Sequence, residues 1–64
     1  MHTPVNMHFL MMHLRDEVLA EAQAFEAEFP GERFPYARCS MALERGKAKA
    51  VAAWHARQDS EAAA

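Results

Sequence analysis

The side chains able to do covalent or metal chemistry in this 64-residue chain are few, and their spacing argues against it. Cys39 and His55 supply a thiol and an imidazole, a pair that works as nucleophile and base only within hydrogen-bond reach. Sixteen residues separate them. On one continuous helix that is about 24 Å, so Cys39 is expected as a small apolar side chain inside the fold. His8 shares a helix face with Met11 and Met12, three and four positions on. An imidazole beside two thioethers has the softness that Cu(I) prefers. Methionines at helical spacing more often fill gaps in packing, and no metal or cofactor is expected. The carboxylate pairs Asp16–Glu17 and Glu21–Glu28 are expected at solvent-facing positions, with no apolar pocket to raise a pKa. Gly31 and Gly46 are the only glycines, which leaves no phosphate-binding loop. No catalytic residue emerges, and the chain is not expected to be an enzyme.

Nucleic acid is the stronger alternative. Arg33, Arg38, Arg45, Lys47, Lys49 and Arg57 all fall in the second half, interleaved with Tyr36 and Trp54. A basic helix with aromatics can follow phosphates and stack on bases. Helical steps put Arg38, Arg45 and Lys49 on one side, making them the candidate nucleic-acid contacts. The formal charge of −2 and the acidic first half weigh against a strong cationic field.

Two helices must position these groups. Alanine is abundant, Ile is absent and Val and Thr are scarce, a composition that favours helix over strand. Thr3-Pro4 reads as a cap followed by the first helical residue. No Gly or Pro then appears until Phe29-Pro30-Gly31, which stops the helix. A second helix is expected from Phe34-Pro35 to about Gln58, with Gly46 either a break or a point of close approach. The link between them is short, so the helices are antiparallel neighbours. The expectation is an all-α hairpin, helices about 4–28 and 35–57, in one domain over 1–58 with a flexible tail at 59–64.

In such a hairpin facing residue numbers sum to about 64. That brings Glu26 near Arg38, Glu17 near Lys47, and Asp16 between Lys47 and Lys49. The stripe Met7, Leu10, Met11, Leu14, Val18, Ala22, Phe25 and Phe29 recurs every three or four residues and marks the face toward the second helix. The answering stripe is Tyr36, Cys39, Leu43, Gly46, Ala50 and Trp54, with Ala42 and Ala53 also small. Val5, Phe9, Met12 and Leu19 form a second apolar face on the first helix. A helix apolar on two sides must be covered on two sides.

A chain this short buries only about 60% of its unfolded surface, and disulfides, metal or oligomerisation usually make up the deficit. One cysteine excludes an intrachain disulfide. Self-association into a four-helix bundle is therefore expected, with Met7, Phe9, Leu10, Met11, Met12, Leu14 and Trp54 at the protein interface. The same surface also suits a foreign protein, with the chain as a small regulator, inhibitor or accessory subunit. No stretch reaches the roughly 20 apolar residues of a membrane span. With no basic start before its first apolar stretch, the chain reads as cytoplasmic.

Overall fold

The computed structural model describes residues 4–63 and contains two helices, α1 (Met7–Glu28) and α2 (Tyr36–Ala63), packed as a hairpin. Its extents are 49 × 17 × 15 Å, a rod two helices wide.

α1 begins at Met7 instead of near residue 4. The cap is Asn6, in extended geometry, whose side-chain oxygen accepts from the His8 and Phe9 amides at 2.9 and 3.2 Å. An Asn carboxamide satisfies amides that would otherwise be orphaned at a helix start. Thr3-Pro4 carries the stronger cap signal in the sequence, and Thr3 lies outside the described residues.

The helix ends where Pro30 forbids its continuation. The Phe29 amide closes the last turn on the Phe25 carbonyl at 2.7 Å, and Gly31 turns the chain at φ +80°. That left-handed geometry suits glycine best, which has no Cβ to clash. The Glu26 carboxylate accepts from the Gly31 amide at 3.2 Å, tying the turn back to α1.

α2 starts with Tyr36 just after Pro35, whose carbonyl accepts from the amides of Arg38 and Cys39. It runs past the expected end near residue 57 to Ala63, so residues 59–63 of the expected tail are helical. An Arg57–Glu61 pair one turn apart (3.2 Å) supports that extension. Gly46 does not interrupt the helix.

The seam between the helices is narrow. Ala42, Gly46 and Ala50 are buried on α2, spaced by four, and Trp54 is half-buried one step further. A Cβ on Gly46 would stand 3.0 Å from the His13 carbonyl oxygen and from the Leu14 Cα. The backbones touch there because α2 has no side chain between them. Leu43 and Tyr36, expected on this stripe, are instead exposed. A ridge stepping by four selects Ala42 over its bulkier neighbour. On α1 the answering row is Phe9, His13, Glu17, Glu21 and Phe25, again in steps of four.

Phe25 is the one large side chain that is buried among the described residues. Its ring meets Phe29 at 5.0 Å and Phe34 at 5.9 Å between centroids, with the Arg38 guanidinium 5.3 Å above it. At the other end Phe9 meets Trp54 edge-on at 5.1 Å, and His13 packs on Phe9 at 4.6 Å. His13 Nδ1 also donates to the Phe9 carbonyl at 3.0 Å. Phe9, expected on the second apolar face, thus belongs to the hairpin's own seam.

Candidate interaction surface

One flank of the seam is ionic. Arg38 donates to Glu21 through Nε at 2.9 Å and Nη2 at 2.7 Å, and its Nη1 lies 3.7 Å from Glu28. Arg45 donates to Glu21 and approaches Glu17 at 3.7 Å; Lys49 donates to Glu17. The expected partners of Arg38 and Glu17 are corrected by these contacts. Arg45 and Lys49, four apart, share one side of α2, whereas Lys47 is turned about 200° from Arg45. Glu17 and Glu21, expected in open solvent, are instead mostly covered within the ladder, with side chains 16% and 13% exposed.

The ladder sets the electrostatics of this flank. The Lys49 hydrogen bond, with charge from Lys49 and Arg45, holds the Glu17 carboxyl below its ordinary range. Hydrogen bonds from Arg38 and then Arg45 do the same for Glu21. The Arg38 guanidinium is pushed up by its bond to Glu21. Solvent screening leaves such pairs little net stability; their main effect is to fix which residues face each other. The three cations expected to touch nucleic acid, Arg38, Arg45 and Lys49, are those neutralised by α1.

Several large apolar side chains lie open elsewhere on the described surface. Met7 is 68% exposed, Met11 58%, Met12 49% and Leu19 50%, all on α1, with Met12 and Leu19 on the side away from the ion-pair ladder. Phe29 continues this surface at the C-terminal end of α1, and Tyr36, Met41 and Leu43 are exposed on α2. Of the seven expected interface residues, Met7, Met11 and Met12 lie on the open surface. Phe9, Leu10, Leu14 and Trp54 are half-buried, and at least Phe9, Leu14 and Trp54 contact the opposite helix. Leu19 and Phe29 belong to the outer surface although neither was placed at the interface. Leu19 lies one heptad beyond Met12, a spacing legible in the sequence; which side α2 covers is not.

Arg15 stands in the middle of this surface. Met11 and Met12 precede it by four and three residues, and Val18 and Leu19 follow by three and four. Those positions ring it on the helix. Arg15 makes no ion pair or hydrogen bond among the described residues.

Cys39 is a free, half-buried thiol. Among the described residues no three of His, Cys, Asp and Glu converge as a metal site would require. No helix described is long and apolar enough to cross a membrane. Comparison with protein-family models, curated proteins and solved structures finds no match to this chain.

Proposed function

We propose that the chain is a non-enzymatic protein-binding module, a small regulator, inhibitor or accessory subunit that works as a homodimer. Its outer α1 surface is the binding element, and two hairpins join there as a four-helix bundle. The observation that carries this reading is the open Met7–Met11–Met12–Leu19 surface on a hairpin whose own buried core is Phe25, Ala42 and Ala50. Folding must offset an ordering cost of roughly 1–2 kcal/mol per residue for the backbone alone. By mass scaling the unfolded chain exposes about 10,400 Å², so the hairpin's 5001 Å² leaves about half of that surface in water, where apolar area adds nothing. Covering it with protein supplies the missing burial. Met and Arg are both enriched in interface cores, which suits a Met surface centred on Arg15.

Areas agree with this reading. A compact chain of 7.2 kDa exposes about 4,100 Å² by mass scaling, whereas this one exposes 5001 Å². The excess is comparable to the roughly 800 Å² that each partner contributes to a standard interface.

Light scattering on a sizing column across a tenfold dilution series tests it, with Met12→Asp and Leu19→Asp beside the wild type. The wild type should run at dimer mass. An aspartate in the covered patch should give monomer or unfolded chain, since an unpaired buried charge is costly. Variants that assemble like the wild type would remove this surface from the interface. A folded wild-type monomer would instead make the surface the bait for a foreign protein.

A further inference from the structure

The outer face of α1 is patterned more tightly than exposure alone shows. Within α1, His8, Met12, Arg15, Leu19, Ala22 and Glu26 follow one another by four, three, four, three and four residues. That is heptad spacing, with Met12, Leu19 and Glu26 at one core position and His8, Arg15 and Ala22 at the other; Val5 and Phe29 lie just beyond the helix ends. All six are exposed or half-buried in the hairpin. The row that meets α2 runs on the opposite side, through His13, Glu17 and Glu21. Met11 and Val18 flank the seam on one edge, widening it as a bundle helix requires.

Arg15 and Glu26 decide the register. They lie eleven residues apart, close to three full turns, so both point from the same line of the helix. Arg15 has no partner among the described residues, and Glu26 is exposed with one oxygen on the Gly31 amide. Parallel pairing would set Arg15 against Arg15 and Glu26 against Glu26. Antiparallel pairing with facing numbers summing to 41 sets Arg15 against Glu26, twice by symmetry. The same register places Leu19 on the small Ala22 and brings Met12 level with Phe29, the residue that caps the helix end. Each layer then joins the two different core positions of the heptad.

We propose that a second copy of this chain occupies the outer face of α1 as an antiparallel pair, locked by reciprocal Arg15–Glu26 ion pairs between copies. This rests on the dimeric reading above and names its geometry. The α1 helices form the centre of the bundle, and the ion-pair ladder to α2 stays inside each hairpin.

Sedimentation equilibrium of the full chain, with circular dichroism to confirm helix content, tests the register by charge exchange. Arg15→Glu and Glu26→Arg each put like charges across the interface and should weaken the dimer at least about tenfold. The double variant Arg15→Glu/Glu26→Arg restores opposite charges and should return the dissociation constant to within about threefold of wild type. If a reversed charge unfolds the chain, Arg15→Gln and Glu26→Gln remove the pair gently. Each should weaken the dimer, and the two together no more than either alone. A dimeric wild type whose association ignores these changes, or is not rescued by the exchange, would overturn the register and leave the dimer standing. A wild-type monomer at every concentration would remove the dimer itself.

Discussion

Gly46 on α2 and Leu14 on α1 are in backbone contact: a Cβ on the glycine would sit 3.0 Å from the Leu14 Cα and 3.2 Å from its Cδ2. The His13 carbonyl oxygen is equally near, and neither backbone atom can swing aside as a side-chain tip can. Gly46→Ala would gain about 1 kcal/mol of helix propensity but must part the helices. Overpacking of this kind costs about 1–3 kcal/mol. A net loss of melting temperature is expected, and a variant more stable than wild type would show that the helices do not approach this closely.

Acid should loosen the hairpin. Glu17 and Glu21 are held below their ordinary carboxyl range by Lys49, Arg38 and Arg45. A folded-state pKa below the unfolded one contributes stability above the unfolded value, and that contribution is lost as pH falls through the folded value. Thermal unfolding followed from pH 7 downward should therefore show stability falling below the ordinary 4.5. The Glu17→Gln/Glu21→Gln variant should start less stable at pH 7 and show a flatter acid limb. An unchanged acid limb would mean that the ladder does not persist in solution.

Phe9 and Trp54 should be energetically coupled. Their rings meet edge-on at 5.1 Å across the open end of the hairpin, and such pairs contribute about 0.5–1.5 kcal/mol beyond area burial. A double-mutant cycle with Phe9→Leu and Trp54→Leu should return a coupling of that size. Trp54 is the only tryptophan, so Phe9→Leu should also shift the wild-type emission spectrum. Additive losses would separate the two rings.

Asn6 should matter to α1. Its side chain accepts two helix-start amides, and replacing an Asn cap by alanine costs about 1 kcal/mol. Asn6→Ala should lower the melting temperature. A variant as stable as wild type would show that this cap does not hold the helix start.

The sequence by itself determined the two helices and their antiparallel pairing, because those depend on neighbours in the chain. Pro30 and Gly31 stop α1 whatever surrounds them, and a short link leaves the second helix no other direction. The rule that facing numbers sum to about 64 survives in Phe9 with Trp54. Opposite charges on the two helices were also legible. Their pairing was not, since Glu17 chooses Lys49 over Lys47 only once the rotation of α2 about its axis is fixed. Tertiary structure decided that rotation through Gly46, where missing side-chain atoms let two backbones touch. That contact drew Phe9 and His13 into the seam and turned Met7 and Met11 outward, although hydrophobicity alone ranks the methionines as well as the phenylalanine. The structure likewise gathered Met12, Leu19 and Phe29 onto one uncovered surface around Arg15. Periodicity shows that a helix has two apolar sides; only packing shows which of them its own chain has already used.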